Sequence, residues 1–492
     1  MPMPHLSLLR SAAGALALAV TLSAHAAVRH VDASLTSGAN NGTSWADAYQ
    51  GAGGVAAALA ASVSGDEIWV RAGTYRPTTG TSRTVFLAMK SGVGIYGGFA
   101  GTETAREQRN WTANVTVLSG DLLANDSGAA NTADNSYHVL VGSGASSTAI
   151  LDGFTVRAGN ANGATASNYD KGGGILIVSG GAPTVRNCTF RDNRCTFGGG
   201  AGYVFSAQAT FTDCSFIDNV GGSYGGAFDT NAVTSTFRRC VFRGNSAARA
   251  GAFETYGGGS TTFENCLFTA NRATGTGGGA AIWIGVSSSV VRVYSSTFSG
   301  NVATSTAGGV NTTSGGTLQA YNCIFWGNSG PTGQTAANQV NAGGGTNTVA
   351  QCIVQGGFTG TGNLNVDPQF VDATGNDFRL QPTSPGIDSG TNAQVPTGGM
   401  ASDLAGNARF VDIASVPDTG VGTAPIIDRG AYEVQAPPPA CPCDLDGDQA
   451  VDGNDLGILL GEWGEPGTAD FNGDGLVDGN DLGVMLGAWG PC

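Results

Sequence analysis

The sequence predicts an all-β chain built as a solenoid of parallel strands, followed by a small α-helical module with duplicated calcium loops. Two observations lead to this fold class. A unit of about 26 residues recurs between residues 172 and 328, and a fixed period of this length is typical of a repeat architecture. Two acidic twelve-residue loops, offset by 26 residues, lie near the C-terminus. The chain therefore divides into a long repetitive body and a short acidic module.

Residues 1–26 are typical of a secretory signal peptide. Arg10 precedes an apolar run from Ala12 to Leu22, and Ala24-His25-Ala26 is a small-residue cleavage site. This run is too short to span a membrane, and no later stretch reaches the ~20 apolar residues that a span needs. We therefore expect a secreted protein, extracellular or at the cell surface, without a transmembrane segment.

The repetitive body, expected over residues 27–360, consists of short strands. Each unit has a Gly-Gly start, two short runs rich in Val, Ile, Phe and Thr, and a Phe-x-x-Asn mark. Short alternating runs bounded by Gly and Asn favour strands over helices. Each unit is thus expected to be one rung of parallel strands, stacked ~4.8 Å from the next. The marks, at spacings of 26, 26, 26, 30 and 27 residues, are Phe190/Asn193, Phe216/Asn219, Phe242/Asn245, Phe268/Asn271, Phe298/Asn301 and Phe325/Asn328.

Equivalent positions on successive rungs of such a coil form ladders. A Cys lies two residues before most of the marked Phe residues, and because side chains alternate across a strand, both point inward. We expect packed free thiols rather than disulfides or metal ligands, with an Asn ladder at a bend, where Asn tolerates a left-handed backbone. Cys195 lies off this pattern. The ladder cysteines are Cys188, Cys214, Cys240, Cys266 and Cys323, with Ser296 in one copy and Cys352 in a looser one.

The repeat resembles two groups of β-helices. Its Gly-Gly-Ala and Phe-x-x-Asn pairing resembles polymorphic outer-membrane adhesins, and the wider pattern resembles the pectin-lyase-like right-handed parallel β-helix. Segments 66–75 and 94–99 look like first rungs of such helices. The Ala-rich segment 46–62 is expected to be a short helix covering the open N-terminal end. The resemblance implies a long outer groove that holds polysaccharide.

After residue 360 the period ends. Segments 365–370, 378–380, 384–390 and 428–433 resemble the choice-of-anchor Q domain, over residues 361–434. That resemblance implies a region that closes a β-helix and precedes an attachment device. Three prolines, 437–439, then make a short stiff linker over residues 435–440.

The module over residues 441–492 carries two predicted Ca²⁺ sites. Each loop presents oxygen-bearing side chains at positions 1, 3, 5, 9 and 12 and a backbone carbonyl at position 7, a spacing that converges six or more oxygens on one cation. Position 6 is Gly475 in the second loop but Gln449 in the first, which predicts slight strain there. The ligands are Asp444, Asp446, Asp448, Ala450, Asp452 and Asp455 in the first loop, and Asp470, Asn472, Asp474, Leu476, Asp478 and Asp481 in the second.

These paired loops resemble the type I dockerin. The resemblance implies a cohesin-like receptor as partner and assembly into an extracellular complex. The alternative is that calcium only folds a C-terminal cap. Positions 10 and 11 of both loops are Gly-Asn, where dockerins often carry Ser-Thr, so the partner is left open. Cys492 is expected to bond either Cys441 or Cys443.

Charge and composition exclude some function classes. The net charge is −15, but residues 441–492 hold 11 acidic and no basic side chains, which leaves 22 basic against 26 acidic in the rest. An acidic chain of this kind argues against nucleic acid as a partner. Past the signal peptide only His30 and His138 remain, which excludes histidine-rich metal sites.

Two pairs of residues are candidates for chemistry on the coil. Arg191 and Arg243 share an outward position two rungs apart, ~10 Å, and could grip an anionic sugar chain; scattered surface arginines are the alternative. Asp229 and Glu254 share an outward position on neighbouring rungs, where like charges would raise one pKa and suit acid/base catalysis. A solvated acidic ladder or a further cation site is the alternative.

From the sequence we expect a secreted β-helix that binds or degrades polysaccharide. As an enzyme it would be a polysaccharide lyase or a glycoside hydrolase. The other hypothesis is a non-catalytic surface adhesin or structural protein.

Overall fold

The computed structural model describes residues 26–286, 288–396, 400–436 and 441–492. Residues 1–25 of the predicted signal peptide and residues 437–440 of the predicted linker lie outside these ranges. Over the described residues, the body is a parallel solenoid of about ten turns. No helix within them is both long and apolar enough to cross a membrane.

One wall of the coil is a large parallel sheet with 19 strands among the described residues. Each turn contributes two strands, which fuse into one where the chain runs straight on. In chain order the strands are Val28–Asp32, Tyr49–Gln50, Glu67–Arg71, Leu87–Ala88, Gly94–Phe99, Leu140–Val141, Ile150–Asp152, Ile175–Ile177, Thr184–Arg186, Gly202–Phe205, Gln208–Thr212, Phe228–Arg238, Phe253–Glu264, Ile282–Ile284, Ser289–Tyr294, Val310–Thr312, Thr317–Tyr321, Val340–Asn341 and Asn347–Ala350.

The opposite wall is a ten-stranded parallel sheet over the described ranges, with one three- or four-residue strand in most turns. Two narrow parallel sheets follow the Asn bend and complete the cross-section of the coil. They are Asn160–Ala161 with Arg194–Cys195, and Ser246–Ala247 with Arg272–Ala273 and Val302–Ala303. The strands of the ten-stranded sheet are Gly73–Tyr75, Thr116–Ser119, Thr155–Arg157, Thr189–Arg191, Ser215–Ile217, Val241–Arg243, Leu267–Thr269, Thr297–Ser299, Ile324–Trp326 and Ile353–Val354.

The predicted Cys and Phe ladders are confirmed inside the coil. The ladder cysteines are buried free thiols. The phenylalanine rings stack along the axis, with centroids 4.5 Å apart for Phe242 and Phe268 and 4.6 Å apart for Phe268 and Phe298. Cys195, unexplained by the sequence, is the bulkiest member of an inward column of small residues that also contains Ala161 and Ala247. It packs there as a small apolar side chain.

The predicted Asn ladder is also confirmed, but the physical reason differs. The left-handed residue is the one before each Asn, for example Asp218 at φ 54° and Ala270 at φ 54°. The asparagines are fully buried, and each Nδ2 donates to the Oδ1 of the next Asn at 2.7–3.1 Å, from Asn193 to Asn328. The Asn side chains thus hydrogen-bond to one another from turn to turn at the bend, rather than each Asn bonding to its own backbone.

Helices are few and short. The predicted N-terminal helix is confirmed but begins later, at Gly54–Ala61, because Tyr49–Gln50 pairs with the first strand. It buries Val55 and Leu59 against the coil interior. The other α-helices are Ala336–Gln339, Gly453–Gly461 and Gly479–Gly487, and 3-10 turns lie at Arg106–Gln108, Thr132–Asp134, Thr165–Ser167 and Asn392–Gln394.

The segment after residue 360, here called the cap, packs against the outer face of the ten-stranded sheet. It contains one antiparallel pair, Phe370–Asp372 with Asp377–Leu380. Leu380 and Ile387 of the cap bury the outward side chains of Ile324 and Ile353. The backbone N–H of Ala431 donates to Oγ1 of Thr297 at 3.0 Å. The cap therefore covers the last turns from the side.

The C-terminal module folds around its two loops. Each loop leads into one helix, and Ala450–Val451 pairs antiparallel with Gly490–Pro491. A disulfide joins Cys441 to Cys492, while Cys443 is a buried free thiol. Of the two pairings that the sequence left open, the structure forms the one through Cys441. The module thus has its ends clasped beside a small core of its own.

Candidate functional site

The first candidate is the open part of the outer face of the ten-stranded sheet. On strand Thr189–Arg191 the side chain of Phe190 points into the core, so Thr189 and Arg191 point outward. Arg191 lies directly beside Arg157 on the preceding turn, and Arg243 lies two turns further on, with Ile217 between them. The predicted register of Arg191 and Arg243 is therefore confirmed. We call the exposed outer surface from strand Thr116–Ser119 to strand Val241–Arg243 the arginine face.

A cavity of about 370 Å³ opens on this face. Its lining includes Arg157, Arg191 and Arg194 together with Asp126 and Asp192. Arg191 donates from Nε to Asp192 at 2.8 Å, but both side chains are close to half exposed, so solvent screens this pair and its stabilisation is small. The guanidinium groups thus remain available to an anionic ligand.

Asp126 is held at the cavity wall by Asn135, whose Nδ2 donates to Oδ2 at 2.8 Å. Its Oδ1 is buried without a hydrogen-bond partner among the described residues. Burial raises the pKa of Asp126, and the neighbouring carboxylates of Asp121 and Asp134 add to that rise. A carboxyl group with a raised pKa is suited to exchange hydrogen bonds with ligand hydroxyls.

A second cavity, of about 300 Å³, flanks the other end of the same strands. Thr155, Thr189 and Asn187 line it beside the indole of Trp111, which is 39% exposed. The guanidinium of Arg109 lies 4.9 Å from the Trp111 ring and supports it from one side. An exposed aromatic ring beside a few hydroxyl and amide groups is the usual lining of a small-ligand site.

The cap sets the limit of this face. Thr269, Thr297 and Ser299 are buried, and Nδ2 of Asn265 donates to the carbonyl of Ser402 at 2.8 Å. The outward positions on the earlier turns, among them Thr155 and Thr189, carry no such cover. The arginine face is thus the stretch of this sheet left accessible by the cap.

The second predicted pair, Asp229 and Glu254, is in the expected register on neighbouring turns. The alternative of a solvated acidic ladder is wrong, because both residues are fully buried. The segment that carries Phe197 and Gly198 covers Asp229: a Cβ atom on Gly198 would lie 2.1 Å from Oδ2 of Asp229. Gly198 lies in the Gly-Gly-Gly start of a repeat unit and pairs with Tyr224 on the next turn, so periodicity gives its register but not its contact with Asp229.

The charges of Arg249 and Lys171 both act on Asp229, and aromatic rings lie beside the pair. Arg249 forms an ion pair with Glu254, and its guanidinium lies 4.3 Å from the Tyr224 ring and 3.9 Å from the Trp283 ring. Both carboxylate oxygens of Asp229 lack a hydrogen-bond partner among the described residues. Burial raises the pKa of Asp229 well above its usual range, reinforced by the charge of Glu254. Burial also raises the pKa of Glu254 to about 7, against the opposing effect of Arg249.

This pair does not face a groove. Because both carboxyl groups are fully buried, a polymer bound at the surface of the coil would not contact them, which argues against acid/base catalysis by this pair. As buried carboxyls of raised pKa, the two residues instead make the stability of these turns dependent on pH.

The first C-terminal loop brings three of its predicted calcium ligands together. Carboxylate oxygens of Asp444, Asp446 and Asp455 lie within 4.8 Å of one another. Asp455 accepts N–H bonds from Leu445 and Asp446, and Asp481 accepts the same bonds from Phe471 and Asn472 in the second loop. All-oxygen donor sets of this kind fit Ca²⁺.

Two of the predicted ligand side chains also have a second role, as helix caps. Oδ1 of Asp452 accepts from the N–H of Asn454, and Oδ1 of Asp478 accepts from Asn480, so both also cap the following helix. Gln449 has φ 72°, the left-handed region, at the position where the second loop has Gly475. This agrees with the strain that the sequence predicts for the first loop.

Sequence reasoning missed part of the arginine face. Arg157 could have been predicted from the sequence, since Phe154-Thr-Val-Arg157 aligns with Cys188-Thr-Phe-Arg191. Arg194 lies on the short strand Arg194–Cys195 directly after an Asn mark, and Asp126 lies on a loop that the strand pattern does not specify. Trp111 lies in a non-repetitive insertion.

Comparisons with known proteins address the body of the chain. The model of the family described as "Right handed beta helix region" matches residues 130–298. This segment is a right-handed β-helix. The crystal structure of pectate lyase Pel9A superposes with a TM-score of 0.44 at 13% sequence identity, covering 83% of this chain and 96% of that chain. A search of curated proteins finds no match.

Proposed function

We propose that this is a secreted β-helix protein that binds an acidic polysaccharide on the arginine face. The observation that carries the proposal is the grouping of Arg157, Arg191 and Arg194 around one cavity, on the part of the sheet that the cap leaves open. Guanidinium groups match carboxylate geometry in a bidentate fashion. Rungs stacked ~4.8 Å apart repeat such contacts along an extended chain.

The test compares the mature protein with an Arg157→Ala, Arg191→Ala, Arg194→Ala triple variant. We expect the native protein to bind polygalacturonate or alginate and the triple variant to bind about a hundredfold more weakly, since each exposed ion pair contributes roughly 1 kcal/mol. Arg379→Ala is the matched control, because Arg379 is exposed but lies on the cap. Raising the salt concentration should weaken native binding.

Two results would contradict this proposal. One is equal binding of polygalacturonate by the native protein and the triple variant. The other is equal affinity for a neutral polymer such as xylan, since the arginines then supply no selectivity.

Degradation and adhesion are separated in the same assay by following unsaturated-product absorbance and reducing ends. A polysaccharide lyase or glycoside hydrolase would lose most of its rate through one substitution among Arg157, Arg191 and Arg243. An adhesin would show binding without turnover, weakened a little by each substitution. The geometry supports binding first, because the acidic pair that would suit hydrolysis is enclosed.

We further propose that the C-terminal module is a calcium-dependent attachment device of the dockerin kind, with a cohesin-like receptor as partner. Its two halves expose equivalent apolar side chains, namely Leu460 and Leu486, and Trp463 and Trp489. Paired exposed apolar residues on a small acidic module favour a protein partner. A panel of cohesin domains tests this: binding should require Ca²⁺ and fail in a Leu460→Asp, Leu486→Asp variant. Calcium-independent capture, or none by any cohesin, would leave the ions a folding role only.

A further inference from the structure

The cap contains a group of carboxylates that the sequence did not single out. Oxygens of Asp388, Asp412 and Asp418 lie within 4.8 Å of one another. Asp388 is completely buried, whereas Asp412 and Asp418 are exposed. The group therefore lies where a buried part of the cap meets solvent.

Asp388 is the informative member. Its Oδ1 is buried without a hydrogen-bond partner among the described residues, and its Oδ2 accepts only a long bond, 3.4 Å, from the N–H of Ile413. A buried carboxylate left without donors costs several kcal/mol unless a proton or a cation compensates. The unpartnered oxygen thus marks an unmet interaction in the interior of the cap.

No basic side chain in the described part of the chain meets this need. Of the two buried guanidinium groups in the cap, that of Arg429 donates to the carbonyl of Ser389, and that of Arg409 donates from Nη2 to the carbonyls of Asp428 and Gly430. The Nε of Arg409 lies 3.4 Å from Glu433 instead. Within the described ranges, none of the three clustered aspartates forms an ion pair.

From this geometry we infer that Asp388, Asp412 and Asp418 form a further Ca²⁺ site, in the cap and separate from the C-terminal loops. Three carboxylates, one buried and two at the surface, supply hard oxygen ligands at one point and leave the outer side open for water. If the protein is secreted, as proposed above, the ion would come from the extracellular medium, where such sites take up calcium at about 10⁻⁴–10⁻³ M.

The bound ion would fasten an exposed loop to the interior. The backbone N–H groups of Thr419 and Gly420 already donate to the carbonyl of Asp388. Thr391, three residues on, donates its N–H to Oδ1 of Asn322 on the coil at 2.7 Å. Calcium would therefore link the 412–418 loop, through Asp388, to the last turns of the β-helix and stabilise the cap at the edge of the arginine face.

The experiment uses the full chain carrying Asp455→Ala and Asp481→Ala, which disables the C-terminal loops. Calorimetric titration with CaCl₂ should still detect about one ion per chain, with a dissociation constant on the order of 10⁻⁴–10⁻³ M. Adding Asp412→Asn and Asp418→Asn should weaken that binding at least tenfold. Both residues are exposed and accept no hydrogen bond among the described residues, so folding should be unaffected.

The matched control is Asp367→Asn with Asp372→Asn, which removes two exposed charges from the same cap. It should leave calcium binding unchanged. Calcium should also raise the melting temperature of the loop-disabled chain and of this control, but not of the Asp412→Asn, Asp418→Asn chain. The inference is overturned if the loop-disabled chain binds no calcium up to 10 mM, or if both pairs of substitutions weaken binding equally.

Discussion

Replacing one rung of the Asn ladder should destabilise the coil by an amount that the structure predicts. In Asn245→Leu, the Oδ1 that accepts from the N–H and the Nδ2 of Asn219, at 3.1 and 3.0 Å, is lost. Oδ1 of Asn271 stays bonded to the N–H of residue 245, so the main cost is two buried donors on Asn219. At about 1–3 kcal/mol for each unsatisfied group, we expect a loss of about 3–4 kcal/mol.

The end of the same ladder provides the control. In Asn193→Leu only the N–H of Gly159 loses its acceptor, so the cost should be about half as large. Urea unfolding followed by tryptophan fluorescence gives the overall loss, and hydrogen exchange of the Asn219 amide gives the local one. Equal losses in the two variants, or a loss below about 1 kcal/mol for Asn245→Leu, would refute this account of the bend.

Four other outcomes follow from the geometry. Chelation of calcium should unfold residues 441–492 while the β-helix persists in circular dichroism, and Asp455→Ala or Asp481→Ala should each remove about one bound ion, whereas identical melting with and without chelator would contradict this. Gln449→Gly should raise the calcium affinity of the first loop about fivefold in a titration, because a non-glycine residue at positive φ costs ~1 kcal/mol. The ladder cysteines should react with iodoacetamide only after denaturation, and a disulfide between two of them in a mass map would be inconsistent with packed thiols. Burial raises the pKa of Glu254 to about 7, so between about pH 4.5 and 7 the native state keeps a proton that the unfolded chain has released. The free energy of unfolding should therefore fall as the pH rises through this range, and Glu254→Gln should reduce that fall.

From the repeat period, the sequence predicts which residues of successive turns lie beside one another. A constant period places equal positions one above the other, so the stacked rings of Phe242 and Phe268 and the pairing of Asp229 with Glu254 were readable from spacing. Burial of that acidic pair could not be predicted, because the repeat gives the register of Gly198 with Tyr224 but not the side chain that its backbone covers. Trp111 was missed for a different reason, since an insertion has no period against which to place it.

The position of the arginine face follows from a change of residue type along one set of equivalent outward positions on the ten-stranded sheet, here called the outward column. On early turns this column carries Thr155 and Thr189, whose hydroxyl groups tolerate water; on the last turns it carries Ile324 and Ile353. Apolar side chains on an outer face need a cover, and the cap buries both isoleucines. A cap held there leaves only the polar, cationic turns open to a ligand. Hence a polymer bound along the coil axis would meet the cap at one end, and substitutions that loosen the cap should lengthen the accessible face rather than abolish binding.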